Sequence, residues 1–223
     1  MPKFNVTIKS IRKETHDVLQ IRTEKPKGFE FQPGQATEIF IPKPGWEKEG
    51  RPFTFTSLPE DPHLEFNIKT YPERKGMTHQ LLTLKANEPL ILNDIFGAIE
   101  YKGEGTFIAG GAGITPFIAI LRNLQAKNQI GTNKLIFANK TSKDIILKDE
   151  FEKMLKNNFI NILSDEKTSQ YASGFISESF IEKQSAGMNK KFYVCGPPPM
   201  MEAILKQLGN LGVKEKDIVQ EAV

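Results

Sequence analysis

A glycine-rich run near the middle of the chain is the clearest sign of ligand chemistry in the sequence. Residues Gly110–Pro116, which read GGAGITP, follow a short apolar run, Thr106–Ala109, that predicts a buried strand. An apolar pattern at helical spacing begins at Phe117, and Pro116 suits a first helical turn because its missing N–H would have no partner there. Glycines let the backbone approach a ligand, and a helix N-terminus offers unpaired N–H groups, so the run predicts a diphosphate site. It lacks the third glycine of the usual dinucleotide fingerprint, and a plain strand-to-helix turn stays an alternative.

A second candidate is the segment 51–57, which reads RPFTFTS and combines a permanent cation, aromatic rings and hydroxyls. Strand alternation would place Arg51, Phe53 and Phe55 on one side of this segment. Arginine can hold a phosphate with two parallel hydrogen bonds, an aromatic face can stack on a flat ring, and a hydroxyl can bond a ring nitrogen. Together these groups would suit a flavin nucleotide. The alternative is a barrel strand with a surface arginine and core phenylalanines.

Two further segments offer weaker indications. Gly76–His79 opens the one helical pattern of the first half, which predicts a second phosphate-binding helix start, with ordinary capping by Thr78 as the alternative. Cys195 ends a buried apolar run at the ligand edge of a sheet, where its thiol could contact a nicotinamide ring. A small core residue is the alternative reading of this cysteine. Three prolines follow Gly196, which predicts a stiff loop.

The composition is that of a water-soluble globular protein. The 223 residues, 39% hydrophobic and 26% charged, allow one large domain or two small ones. No apolar run is long enough to cross a bilayer and the first residues show no signal-peptide pattern, so we expect a cytoplasmic protein. A net charge of +3 is too small to predict nucleic-acid binding. The single cysteine excludes an intrachain disulfide and a four-cysteine cluster, and the scattered His16, His63 and His79 predict no metal site.

Two kinds of element pattern divide the chain. In the first half, alternating segments such as Phe4–Ile8 and Leu64–Ile68 are separated by turns rich in proline and glycine, which predicts an antiparallel β-barrel with one short helix near residues 77–84. After Gly105, strand candidates alternate with helices, which predicts an α/β parallel sheet with helices on both faces. Ligands of such sheets lie beyond the carboxyl ends of the strands. We therefore expect two domains, a flavin-binding barrel at residues 1–102 and a pyridine-nucleotide-binding α/β domain at residues 103–223.

Taken in order, four segments resemble motifs of the ferredoxin–NADP reductase family, including its bacterial flavodoxin-reductase-like members. Arg51–Thr54 looks like the family's Arg-x-Tyr-Ser/Thr flavin motif, with phenylalanine in place of the tyrosine. Gly76–Thr78 resembles the Gly-x-x-Ser/Thr diphosphate motif with one residue fewer. Gly110–Pro116 is similar to the pyridine-nucleotide glycine motif, and Cys195–Met200 matches Cys-Gly-Pro-x-x-Met. The resemblance covers essentially the whole chain, and the ordered combination is more specific than any single motif.

The resemblance implies a flavoprotein that passes a hydride from NADH or NADPH to bound FAD and then electrons to an acceptor. FAD is favoured over FMN because Gly76–Thr78 would have a diphosphate to bind. The catalytic residues would be Thr54 near flavin N5, Cys195 beside nicotinamide C4, and Glu221, where the family often has an acidic residue. The flavin-binding residues implied are Arg51, Pro52, Phe53, Thr54, Asn67, Ile68, Lys69, Gly76, Met77 and Thr78. The implied nucleotide-binding residues are Gly110, Gly111, Ala112, Gly113, Ile114, Thr115, Gly196 and Pro197.

The identity of the two electron partners is less determined. By resemblance, the acceptor is a small electron-carrier protein such as flavodoxin or ferredoxin, and the chain is expected to be a monomer. A reductase of free flavin or small quinones stays an alternative, as does a non-catalytic nucleotide-binding module. On the donor side, Asp165 follows the third strand of the second half and would repel a 2′-phosphate, although Lys140 and Lys167 could offset it. We therefore expect NADH to be preferred over NADPH.

Overall fold

The computed structural model describes residues 3–97, 99–185 and 191–220. Glu221, expected to be catalytic, lies outside the described residues. Within these ranges the strands are β1 (Phe4–Lys13), β2 (Val18–Glu24), β3 (Ala36–Phe40), β4 (Arg51–Thr54), β5 (His63–Lys69), β6 (Pro89–Phe96), β7 (Gly105–Gly110), β8 (Lys134–Asn139), β9 (Phe159–Leu163), β10 (Ala172–Ser173), β11 (Lys191–Cys195) and β12 (Ile218–Gln220). The α-helices are α1 (Met77–Leu81), α2 (Thr115–Ala126), α3 (Lys148–Leu155), α4 (Glu178–Ser185) and α5 (Pro198–Asn210).

The first six strands form one antiparallel sheet in the order β4-β3-β6-β1-β2-β5. Alternate residues of these strands supply its apolar core, and four phenylalanine rings contact one another there. Phe31 stacks on Phe55 with ring centroids 4.3 Å apart, while Phe29 and Phe66 each contact Phe55 from another side. Such aromatic contacts stabilise a core beyond the area they bury. The antiparallel β domain expected from the sequence is confirmed.

The last six strands form one parallel sheet in the order β10-β9-β8-β7-β11-β12. Every residue of β7 is buried, as expected for a central strand covered on both faces. Ile108 and Ile136 pack in one apolar cluster with Ile181 of α4 and Ile204 of α5. On the other face, Phe159 of β9 contacts Phe137 and Phe151, the latter on α3. The expected parallel sheet with helices on both faces is therefore confirmed.

Contacts divide the chain into two compact units, and the division passes through α2. The first unit comprises Met1–Ala98 with Thr115–Asn123, and the second comprises Ile99–Ile114 with Leu124–Val223. Most of α2 therefore groups with the antiparallel sheet, although the loop before it groups with the parallel one. The domain boundary between residues 102 and 103 stays a prediction. Among the residues that the structure describes, no helix has both the length and the apolar character needed to cross a bilayer.

Candidate functional site

The two glycine-containing loops of the second unit pack directly against each other. They follow β7 and β11, which are neighbours in the sheet with Cys195 in register with Ala109. A Cβ atom at Gly113 would collide with the Cys195 carbonyl oxygen, and one at Gly110 would collide with Met200 Sδ. Gly113 has no room for a side chain because its neighbours there are backbone atoms, whereas at Gly110 the Met200 side chain would have to move. Gly113 is therefore required by close approach to the second loop.

Gly111 is a glycine for a different reason. Its φ is +51°, in the left-handed region, and the space that a Cβ would occupy there is open. The chain then makes a single 3₁₀ turn, Gly111–Ile114, and α2 begins at Thr115. The open side of the loop and the first N–H groups of α2 are thus placed at the carboxyl edge of β7. This is the arrangement that binds an anionic group in strand–turn–helix units.

Asn139 is a candidate ligand-binding residue that the sequence patterns did not indicate. It ends β8, and the residue before it is in register with Gly110 of β7. The side chain is 8% exposed, and neither its Oδ1 nor its Nδ2 has a hydrogen-bond partner. A buried amide left without partners costs about 1–3 kcal/mol, which a ligand supplying a donor and an acceptor would offset. The sequence did contain one indication of this role, because Asn139 is a polar residue at the end of an apolar strand, at the edge of the sheet where ligands bind.

An acidic, hydroxyl-rich segment lies beyond the end of β9 at the same edge. The Glu166 carboxylate accepts hydrogen bonds from the Ser142 backbone N–H at 2.6 Å and from Ser142 Oγ at 3.1 Å. Ser164 Oγ donates to the exposed Asp165 carboxylate at 2.6 Å. Leu163 is in register with Ser173, the last residue of β10, and Phe175, which is 85% exposed, lies two residues beyond it. This edge presents negative charge, hydroxyls and one exposed aromatic ring.

Arg51 and its neighbours form an edge strand of the first unit. The Arg51 side chain is 54% exposed, donates to the Gly50 carbonyl at 2.7 Å and lies 3.5 Å from the Glu49 carboxylate. Pro52 is exposed, whereas Phe53 packs partly against the apolar core. The strand ends at Thr54, which is half-buried. A solvent-facing guanidinium next to a partly covered ring and hydroxyl fits a nucleotide with a diphosphate and a flat ring system.

Asn67 and Lys69 of β5 differ in their availability to a cofactor. Asn67 is 4% exposed, and its Nδ2 donates to Thr56 Oγ1 at 3.0 Å while its Oδ1 has no partner. Lys69 Nζ lies 2.8 Å from the Asp17 carboxylate. Burial would raise the pKa of Asp17, but the adjacent Lys69 ammonium holds that pKa below its ordinary value. The charge of Lys69 is thus balanced by the Asp17 carboxylate. The expected role of Lys69 beside the flavin stays a prediction.

The residues at the start of α1 differ in how far they are buried. Gly76 is the extended N-cap, its Cβ direction is open, and its carbonyl accepts hydrogen bonds from His79 and Gln80. The Met77 side chain is 3% exposed and belongs to the core, while Thr78 is half-buried. His79 is half-buried, and its Nδ1 is buried without a hydrogen-bond partner. It therefore joins Asn139 as a polar group that the sequence reasoning did not single out.

The Cys195 side chain is a reduced, half-buried thiol at the end of β11. Gly196 is half-buried and Pro197 is exposed, so the loop after the thiol lies partly open to solvent. The structure brings Gly110, Gly113, Cys195 and Gly196 together within the second unit. Catalytic and cofactor-binding roles for the sequence-predicted residues remain proposals that these positions permit.

Comparison with known proteins identifies both halves. Residues 3–134 match the FAD-binding domain family, and residues 107–206 match the oxidoreductase NAD-binding domain family. The chain is 35% identical to NADH-cytochrome b5 reductase 2-B of Vanderwaltozyma polyspora, over 88% of this chain and 71% of that protein. It is 30% identical to NADH-cytochrome b5 reductase 2 of Mycosarcoma maydis, over 92% of this chain and 65% of that one.

Solved structures show the same architecture. A ferredoxin NADP+ reductase from Neisseria gonorrhoeae with bound FAD and NADP superposes with a TM-score of 0.86 at 17% identity, covering 99% of this chain and 98% of that one. At this identity the likeness establishes the fold alone. The chain spans 65% of the length of the Mycosarcoma maydis relative and 53% of a 2-halobenzoate 1,2-dioxygenase electron transfer component from Burkholderia cepacia. The chain therefore belongs to the ferredoxin–NADP reductase-like family, with an FAD-binding domain followed by an oxidoreductase NAD-binding domain.

Proposed function

We propose that this chain is an NAD(P)H-dependent flavoprotein reductase that binds FAD in its first half and a nicotinamide nucleotide in its second. The observation that carries the proposal is the packing of the Gly113 turn on the Cys195 carbonyl, next to the unpartnered amide of Asn139. This places a glycine turn, a thiol and an unsatisfied amide at the carboxyl edge of one parallel sheet, where such folds bind ligands. Bound FAD would supply the hydride-accepting chemistry that side chains lack.

On the flavin side, the chain's own residues bind and orient the cofactor. The Arg51 guanidinium would hold a diphosphate oxygen pair, because its fork of donors matches that geometry. Phe53 would cover one face of the flat ring, and the Thr54 hydroxyl would donate to a ring nitrogen. The backbone N–H groups at Gly76–Thr78 would receive the remaining phosphate charge. The unpartnered Asn67 Oδ1 and His79 Nδ1 support a polar ligand in this unit.

On the nucleotide side, the open face of Gly111–Thr115 would receive the diphosphate, and Asn139 would bond the nucleotide through its free amide. Gly196 and Pro197 would hold the loop against the nicotinamide, with the Cys195 thiol beside it. Most of the rate gain from this arrangement comes from orientation of the reacting rings. We propose that the acceptor is a small electron-carrier protein such as a ferredoxin or a flavodoxin, in keeping with a relative named as a ferredoxin–NAD(P)+ reductase component. Monomeric state and cytoplasmic location remain part of this proposal.

The absorbance spectrum of the purified protein tests the function directly. We expect flavin bands that bleach when NADH is added without oxygen. Arg51→Ala should weaken FAD retention by roughly tenfold or more, because a charge-assisted bidentate contact is lost. Arg12→Ala removes another exposed arginine of the first unit, whose nearest carboxylate, on Glu14, is 3.8 Å away, and should retain FAD normally. Protein that stays colourless after incubation with FAD and FMN would support a non-catalytic module. Efficient turnover of free flavin, with no gain from a carrier protein, would identify a free-flavin reductase.

We expect kcat/KM to favour NADH over NADPH, because Asp165 and Glu166 present negative charge at the end of β9. Asp165→Ala should move the NADPH-to-NADH ratio of kcat/KM toward NADPH by roughly three- to tenfold, the range expected for one exposed charge facing a phosphate. Asp149→Ala removes an equally exposed carboxylate from α3 and should leave the ratio unchanged. Steady-state assays with both nucleotides measure the effect. A wild-type preference for NADPH would contradict the prediction.

A further inference from the structure

A buried carboxylate in the first unit accepts hydrogen bonds from four side chains. Glu65 on β5 is 1% exposed. Its Oε1 accepts from Arg122 Nη1 at 2.7 Å and from Thr56 Oγ1 at 3.1 Å, and its Oε2 accepts from Arg22 Nε at 2.9 Å. Asn67 Nδ2 donates to Thr56 Oγ1 at 3.0 Å and to Glu65 Oε1 at 3.5 Å. We call these five residues the Glu65 cluster.

The Glu65 cluster holds a charged carboxylate away from water. Burial would raise the pKa of Glu65, but Arg122 and Arg22 hold that pKa below its ordinary value. The Arg122 side chain is 18% exposed, so its guanidinium is largely removed from water as well, whereas Arg22 is 42% exposed. An ion pair in such surroundings contributes little net stability compared with apolar packing, and its best-attested use is to fix one geometry.

Arg122 differs from Arg22 in contacting the backbone of a candidate flavin segment. Arg122 Nη1 also donates to the Thr56 carbonyl at 2.7 Å. Thr56 lies two residues after Thr54, and its own N–H donates to the Glu65 carbonyl at 2.8 Å. The segment after β4 is therefore bonded to Glu65 through the Thr56 N–H and to Arg122 through the Thr56 carbonyl. Both contacts of Arg122 are made by Nη1, which donates to the Thr56 carbonyl and to Glu65 Oε1 and so joins the two.

Arg122 lies on the helix that follows the proposed nucleotide-binding turn. It lies on α2, which begins directly after the turn proposed to hold the nucleotide, and in the part of α2 that groups with the antiparallel sheet. Its immediate neighbours on α2 that face inward, Ile118 and Leu121, are fully buried. An apolar residue at position 122 would pack in this helix at least as well. Packing therefore does not explain why a guanidinium stands here, whereas fixing one geometry does.

We propose that Arg122 is a positioning residue for flavin reduction: it ties α2 to the Thr56 backbone and so fixes where Thr54 meets the flavin. This inference rests on the function proposed above. Arg122 touches neither cofactor nor nucleotide in this account, and acts through Thr56 and Glu65. Its loss should therefore lower the rate of hydride transfer more than the binding of either ligand.

The test uses FAD-loaded protein mixed with NADH without oxygen in a stopped-flow instrument. Arg122→Gln should lower the limiting rate of flavin reduction about ten- to hundredfold, the cost expected of a misplacement near 1 Å. The Kd for NADH and the FAD content should stay within about threefold of wild type, because the proposed binding groups are intact. Arg122→Lys should recover part of the rate, since an ammonium can donate to the same two oxygens but lacks the fixed plane of the guanidinium. Arg12→Gln, an exposed arginine on β1, should match wild type.

The variant Arg22→Gln distinguishes the positioning effect of Arg122 from the loss of a positive charge beside Glu65. It removes an equal charge from the same carboxylate without touching the Thr56 carbonyl, so its limiting rate should fall much less than that of Arg122→Gln. Equal losses in the two variants, or an Arg122→Gln protein that holds FAD and reduces it within twofold of wild type, would overturn the proposal. If Arg122→Gln does not fold, the comparison of Arg122→Lys with Arg22→Gln decides in the same way. Wild-type protein that NADH and NADPH both fail to reduce would overturn the proposed function itself, before any variant is compared.

Discussion

Gly113→Ala is expected to slow flavin reduction by NADH severely while leaving FAD bound. The added Cβ would meet the Cys195 carbonyl carbon at 2.5 Å and the Gly196 Cα at 2.7 Å, both backbone atoms that cannot rotate away. The two loops would have to separate by about 1 Å, and a displacement of that size costs about a hundredfold in rate. We therefore expect kcat/KM for NADH to fall at least about a hundredfold.

The flavin should survive this change because the proposed FAD-binding residues belong to the first unit and Gly113 to the second. The bound-flavin spectrum, the anaerobic reduction rate and the thermal midpoint together measure the outcome. Gly209→Ala is the matched control: it is the same substitution in α5 of the same unit, where a Cβ meets nothing within 4 Å. It should be neutral or slightly stabilising, since alanine favours helix over glycine. Wild-type reduction by Gly113→Ala protein would show that this turn does not hold the nucleotide.

The contrast between Gly111 and Gly113 shows how far the sequence could be taken. The turn itself was predictable, because an apolar strand, a glycine run and a helical pattern are all local signals. The reason for each glycine was not. Gly111 needs a left-handed backbone beside open space, whereas Gly113 needs the absence of a side chain beside Cys195, which lies 82 residues away by number. A sequence shows glycine at both positions and does not distinguish conformational from packing requirements.

The same limit applies to the ion pairs. Lys69 pairs with Asp17, on the turn before β2, and the sequence does not reveal this pairing. Glu65 looked like an ordinary strand residue, yet its partner Arg122 comes from a helix 57 positions later. Alternation predicted the two sheets because each strand carries its own pattern. It could not predict that most of α2 would group with the antiparallel sheet, since that depends on contacts between distant segments.

Some strands and helices end at other residues than the sequence patterns predict, and the cause is local hydrogen bonding. Alternation runs on to Thr56, but β4 ends at Thr54, because the Phe55 N–H donates to the Gln35 carbonyl and the Thr56 N–H to Glu65. The predicted helix near 77–84 ends at Leu81 as α-helix. The next three N–H groups bond carbonyls three residues back, which makes a tighter turn. β10 contains two residues, too few for any alternation to show.

Glu65→Gln is expected to have the largest effect on stability of any single charge change in the first unit. The amide keeps the shape of the carboxylate but removes its charge, leaving the 18% exposed Arg122 guanidinium without its anion. Breaking one side of a buried ion pair costs about 3–5 kcal/mol, roughly a hundredfold to several thousandfold in the folding equilibrium. Urea titration at pH 7 measures this loss as a change in the free energy of unfolding. Glu24→Gln removes a carboxylate from an exposed pair with Lys9 and should change it little.

The pH dependence of that loss identifies its cause. The folded-state pKa of Glu65 lies below the ordinary value of 4.5, so its contribution is fully present above that value and disappears as pH falls through the folded-state pKa. The free-energy difference between wild type and Glu65→Gln should therefore be constant from pH 7 to about pH 5 and shrink below about pH 4.5. Other carboxylates, Asp17 among them, are present in both proteins and largely cancel from the difference. A difference that stays constant down to pH 3 would mean that packing or hydrogen bonding, and not the charge of Glu65, holds β5 to α2.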